Sequence, residues 1–172
     1  NGYPLSAVVG SNEIMQKVED IFFSGTFGGE TLSLAAASKV IDIYQDKKVV
    51  EYLMKLGNVL IDGVVKLIKD HQLENIVSIS SFPSWSILKF KKLEGYSSFE
   101  VRTFFLQEVL KRGILTLGSH NLSFSHTQKD IDKLLDVYSE VFLLIGKHIK
   151  DETLIENIHG DILQPLFQVR ES

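Results

Sequence analysis

The chain has 172 residues, 44% of them hydrophobic and 23% charged, with 18 Lys and Arg against 22 Asp and Glu for a formal charge of −4. That length allows one or two domains with a real core, and the balance is that of a soluble globular protein rather than a disordered one. The missing basic excess argues against nucleic acid or an anionic membrane as partner, and the absence of cysteine excludes disulfides, Cys-ligated zinc, iron–sulfur clusters and a Cys nucleophile.

A cysteine-free chain also fits a reducing, cytoplasmic compartment. The longest apolar run, Val141–Gly146, is far too short to span a membrane. The chain opens on Asn1-Gly2-Tyr3-Pro4, a turn signal that runs at once into an apolar stretch. This opening reads as the interior of something longer.

Leu5–Gly10 is predicted as a short buried strand. Ser11 is expected to cap a short helix over Asn12–Val18, with Ile14 and Met15 turned inward. Ile21-Phe22-Phe23 is a brief apolar run, followed by a Gly-rich loop from Ser24 to Glu30. Leu32–Tyr44 has helical spacing through Leu34, Ala37, Ile41 and Tyr44. A longer helix is predicted from about Lys48 to Asp70, on a stripe that includes Leu53, Leu56, Leu60, Val64 and Ile68.

The texture then changes. Ile76–Ser81 and Ser86–Lys92 alternate and are separated by Phe82-Pro83-Ser84, the pattern of two antiparallel strands. Ser97 or Ser98 is expected to cap a helix that buries Val101, Phe104, Phe105, Leu106, Val109 and Leu110 and ends at Gly113. Lys111 and Arg112 suit its C-terminal dipole. Ile114–Leu117 is predicted as a strand. Thr127 and Asp130 resemble a capping box that opens a long helix to about Lys150. A short helix, Asp151–Ile158, and an extended tail complete the chain. The break in texture falls near residues 45–48, with an α/β piece before it and an α+β unit after it.

The Gly-rich loop is the strongest chemical hint. Gly25, Gly28 and Gly29 free the backbone, Ser24 and Thr26 add hydroxyls, and a helix N-terminus follows, a setting that suits phosphate. No Walker lysine and no G-x-G-x-x-G is present, so a flexible loop with a helix cap is the plainer reading. The five histidines form no H-x-x-x-H pair and read as solvated or cap-bonding side chains. The serines around residues 78–86 read as polar strand faces and turns, with no G-x-S-x-G elbow. Asp130 and Asp132 complement a helix dipole. Trp85 and the Phe22/Phe23 pair read as core or interface.

Several segments, in order, resemble one family. Asn1–Gly10 is similar to the segment that follows the cofactor lysine of class III aminotransferases. Phe23–Leu32 with Ala35-Ala36-Ala37 resembles that family's cofactor phosphate loop and following helix, in the pattern of glutamate-1-semialdehyde 2,1-aminomutase and its relatives. Arg112–Leu115, His126–Asp132 and Pro165–Arg170 look like the C-terminal domain of the same group. The resemblance implies fold type I, a homodimer and pyridoxal 5′-phosphate, held by a lysine as a Schiff base during amino-group transfer. It makes residues 1–47 the α/β tail of the large cofactor-binding domain. Residues 48–172 become the connecting helix and the α+β small domain.

Carried over by residue, the resemblance has Thr26 bind the cofactor phosphate across the dimer interface, helped by Gly25, Ser24 and Phe27. The Schiff-base lysine is expected just before Asn1, so this chain holds no catalytic residue and is expected to be inactive alone. Lys39, Lys47 and Lys48 sit on predicted helix surfaces or ends and do not replace it. Arg102 and Arg170 are candidates for a substrate carboxylate, with a surface ion pair as the plainer role. The alternative is a non-catalytic interaction or assembly module, with Phe22, Phe23 and Phe27 as its contact patch.

Overall fold

The computed structural model describes residues 2–165. The described chain divides into two compact units, one up to Val50 and one from Glu51 onward.

The first unit holds α1 (Asn12–Met15), a 3₁₀ turn over Gln16–Asp20 and α2 (Thr31–Asp46). The strand expected over Leu5–Gly10 is absent, and those residues are exposed and irregular. The reason is physical: a strand exists only through its partner, and all three strands of the described residues lie between Val77 and Asn121. Ser11 makes no side-chain cap bond, and Ile14 is 67% exposed, against expectation. Phe22 and Phe23 are exposed as well, so neither is core.

The second unit is built on α3 (Val49–Asp70), which crosses from the first unit into it. Leu56, Leu60, Val64 and Ile68 recur every four residues and are all buried. Two glycines let other segments approach α3 closely. A Cβ at Gly57 would sit 2.1 Å from the Pro83 carbonyl oxygen, and one at Gly63 would sit 2.5 Å from a Leu135 methyl.

Strands β1 (Val77–Ile79) and β2 (Trp85–Phe90) pair antiparallel, Val77 opposite Phe90, as their alternation predicts. The third strand is misplaced by sequence. It is β3 (Ser119–Asn121), antiparallel to β2 with Ser86 opposite His120. Ile114–Leu117 is irregular, and Leu115 and Leu117 are exposed. Pairing starts only beyond Gly118, whose φ of +86° turns the chain and whose carbonyl accepts from the Leu88 amide.

Helix α4 (Ser98–Lys111) opens with a complete capping box: Glu100 N–H donates to Ser97 Oγ, and Ser97 N–H donates to the Glu100 carboxylate. It closes in a Schellman motif, in which Ile114 N–H donates to Val109 O and Gly113 N–H to Leu110 O, with Gly113 at φ +78°. Leu110, expected inside, is 58% exposed, because the buried stripe runs through Val101, Phe104, Phe105, Glu108 and Val109. Lys111 and Arg112 do more than face a dipole. Both pair with Glu108, and Arg112 also reaches Glu140 at 2.8 Å. Burial opposes the charge on Glu108, but hydrogen bonds from Lys111, Gln107 and Arg112 outweigh it and hold the carboxyl down at about 2.

Helix α5 (Gln128–Lys150) starts where Asp130 accepts from the Thr127 amide and hydroxyl, both at 2.8 Å. It buries Ile131, Tyr138, Val141, Phe142 and Ile145. In place of the last predicted helix there is a 3₁₀ turn, Ile155–Asn157. The tail to Leu163 is tied to α4: Gln107 accepts from His159 N–H, and Thr103 Oγ1 accepts from Leu163 N–H. Arg170 and the segment from Leu166 lie outside the described residues.

Candidate functional site

Ser24, Gly25, Thr26 and Phe27 fall in one exposed loop, with a turn over Thr26–Gly29. The turn is closed by Gly28 N–H to Gly25 O at 3.0 Å, and Glu30 N–H donates to Phe27 O at 3.2 Å. Gly28 suits this tight turn, since a Cβ there would lie 3.3 Å from the Gly25 carbonyl oxygen. Among the described residues no protein group accepts from the amides of Gly25, Thr26 and Phe27 or from the hydroxyls of Ser24 and Thr26. All four residues are exposed.

The helix N-terminus behind them differs from expectation. Two of its first amides are not free, because Glu30 caps α2: Leu32 N–H donates to one carboxylate oxygen at 2.9 Å and Ser33 N–H to the other at 2.6 Å. Hydrogen bonds from Ser33 and from the Leu32 amide hold the Glu30 carboxyl below the usual range. The α2 dipole end is therefore occupied by the chain's own anion. The Leu32 and Ser33 amides are not open to an incoming phosphate, which would draw on the loop donors.

A second polar cluster was not foreseen. His120, read from sequence as solvated or cap-bonding, is buried in the core. Its Nδ1 lies 2.9 Å from Ser86 Oγ and its Nε2 lies 2.8 Å from the Tyr138 hydroxyl. Burial pushes the His120 pKa down to about 4 and raises that of Tyr138. The available signal was Ser86 itself, a polar residue on the same face of β2 as Leu88 and Phe90. Ser86 is fully buried, so this triad ties β2, β3 and α5 together and offers no nucleophile to a substrate. A cavity of about 560 Å³ lies beside it, lined by residues 113–117, 119–122, His126 and the first turns of α5.

Three other histidines bond through their rings: His126 Nδ1 accepts from Ser123 N–H, His71 meets Ser139, and His148 meets Thr153. No group of three or more metal-ligating side chains occurs among the described residues. Trp85, expected in core or interface, is 55% exposed. Arg102 makes no ion pair among the described residues, and its guanidinium donates to Leu117 O at 3.0 Å.

Residues 1–141 match the family model for class-III aminotransferases, and the chain belongs to that family. It is 30% identical over 156 residues to the glutamate-1-semialdehyde 2,1-aminomutase of Methanothrix thermoacetophila, covering 80% of this chain and 34% of that protein. It is 25% identical over 152 residues to ornithine aminotransferase 1 of Staphylococcus aureus strain MRSA252, covering 81% and 34%. A solved structure, the internal aldimine form of the Sphingopyxis sp. MTA144 FumI protein with PLP, superposes with a TM-score of 0.64 at 23% identity, over 83% of this chain and 34% of that one. That likeness shows the fold. The chain spans about a third of the length of these relatives.

Proposed function

We propose that this chain is the C-terminal part of a pyridoxal 5′-phosphate-dependent aminotransferase or aminomutase, with Ser24, Gly25, Thr26 and Phe27 cradling the cofactor phosphate. The observation that carries this reading is the set of exposed, unpartnered N–H and O–H donors on that loop. Their chemistry fits the group: a phosphate takes several N–H and O–H donors, and the carboxylate of Glu30 is held on the Leu32 and Ser33 amides. Family membership supports the same cofactor. The cofactor, when bound, supplies the electron sink for amino-group chemistry. This chain's share is binding and orientation, through the Thr26 hydroxyl and the loop amides, and in a cytoplasmic homodimer the loop serves the second subunit's cofactor.

In this reading residues 1–47 close the large domain, and residues 48–172 form the connecting helix and small domain. The bond-making lysine precedes Asn1, so pure chain shows no transaminase or aminomutase turnover.

Borohydride reduction of the native protein, followed by peptide mapping, tests this. A phosphopyridoxyl lysine just ahead of Asn1 supports it. No label with excess cofactor overturns it in favour of the assembly module, whose support is the exposure of Phe22, Phe23 and Phe27. Thr26→Val separately tests the cradle. Loss of one hydrogen bond to a charged group costs about 1.5–3 kcal/mol, so cofactor affinity, read from its absorbance, falls roughly tenfold or more.

A further inference from the structure

The register of the small sheet leaves part of β2 open. Its first half, Trp85–Ile87, pairs with β3, while Leu88–Phe90 pairs only with β1. Lys91 N–H donates to Ile76 O and Ile87 O accepts from Ser80 N–H, so residues 87, 89 and 91 point their polar backbone groups toward β1. The groups of 88 and 90 point the other way. Leu88 N–H finds Gly118 O at 2.8 Å, but for Phe90 N–H no described residue accepts.

That open edge borders a groove of about 410 Å³ between β2, the start of α4 and Leu117. Ile87, Phe90, Phe99 and Leu117 give it apolar walls, and Lys89 and Arg102 are its only charged linings among the described residues. Neither cation has a carboxylate within salt-bridge distance among the described residues. Arg102 spends one donor on Leu117 O, which fixes its guanidinium at the rim and leaves the rest of its fork unused. The α4 N-terminus contributes nothing, because Ser97 and Glu100 cap it.

We propose that this groove binds a monocarboxylate carrying a short apolar tail. The Arg102 guanidinium and the Phe90 amide take the carboxylate oxygens, Lys89 adds charge, and the tail covers Ile87, Phe99 and Leu117. A fixed guanidinium matches a planar carboxylate in two-point contact, and the apolar walls account for the tail. The site shares no residue with the loop at 24–27, so it stands whether or not that loop holds a phosphate.

Calorimetric titration of the native protein with hexanoate, against hexanol as the uncharged control, tests the assignment. Saturable hexanoate binding is expected, at least tenfold tighter than hexanol. Arg102→Gln is expected to weaken it tenfold or more, and Lys89→Gln severalfold. Both side chains lie at the surface, and an unchanged thermal melt checks that each variant folds. Hexanoate binding that survives Arg102→Gln, or equal affinity for hexanol, overturns the proposal, as does no saturable binding.

Discussion

Phe22 and Phe105 are the same side chain in opposite settings: Phe22 is 96% exposed and Phe105 is fully buried. The contrast extends to their regions. Within residues 51–165, nineteen buried hydrophobic residues form one continuous cluster from Leu56 to Leu154. Within residues 5–27, Val8, Val9, Ile21, Phe22, Phe23 and Phe27 all lie open to solvent. Apolar composition is thus no guide to burial here. What separates the regions is the partner: α3, α4, α5 and the sheet supply each other's cover, whereas among the described residues the early segment has no strand to join. Truncation sharpens this most. Phe105→Ala is expected to cost about 3–5 kcal/mol in urea unfolding, and Phe22→Ala less than about 0.5. Comparable losses at both positions would break the comparison.

Close approach is the second distinguishing feature of the larger unit. The Cβ of Gly57→Ala would enter the Pro83 backbone, which has no rotamer to yield, whereas that of Gly63→Ala meets only the flexible end of Leu135. Overpacking costs typically about 1–3 kcal/mol, more where backbone must shift. The first substitution is therefore expected near or above the top of that range and the second near the bottom. Gly29→Ala, with open space around it, is expected to change stability little. Melting curves of the three variants place them in that order.

The pH dependence of stability is also expected to come from the larger unit. Neutral His120 in the fold takes its proton only at about 4, against an ordinary value of 6.5. Between those values the unfolded chain binds the proton and the folded chain does not. Stability therefore falls as pH drops from 6.5 to about 4, by about 3 kcal/mol at most, and this contribution levels off below. Glu108 acts in the same direction lower down. Its carboxyl is held at about 2 against 4.5, so its contribution is lost as pH falls from 4.5 towards 2. Urea midpoints between pH 7 and 4 check the first window, and His120→Gln is expected to flatten it.

The long helices were legible because their signals are local. The α3 and α5 stripes, the Ser97–Glu100 and Thr127–Asp130 caps and Gly113 all act within a few residues of themselves. The Leu5–Gly10 and Ile114–Leu117 segments were misread because an apolar run says nothing about whether another strand lies alongside. The candidate loop was legible in its residue types, Ser24 to Phe27, but the role of Glu30 was not. Whether a helix N-terminus is free depends on the rotamer of one side chain, and Glu is a less common cap than Ser, Thr, Asp or Asn. The His120 triad was invisible for the opposite reason: its three members come from β2, β3 and α5, and only the register joins them.

Helix ends carry the smallest and cleanest of these contrasts. α4 stops at a glycine, but α3 and α5 stop at Gln72 and Glu152, with φ of +57° and +56°. The bonds are nevertheless those of the same motif. Leu73 N–H donates to Ile68 O and Gln72 N–H to Lys69 O, while Thr153 N–H donates to His148 O and Glu152 N–H to Ile149 O. A Cβ in the left-handed region costs about 1–2 kcal/mol, partly offset by the extra freedom glycine gives the unfolded chain. Gln72→Gly and Glu152→Gly are therefore each expected to raise stability by about 0.5–1 kcal/mol, and Gly113→Ala to lower it by about as much. Near-additive gains in the double variant are expected, since the two caps share no bond. A loss from either glycine would mean that the side chain, and not the backbone motif, holds that helix end.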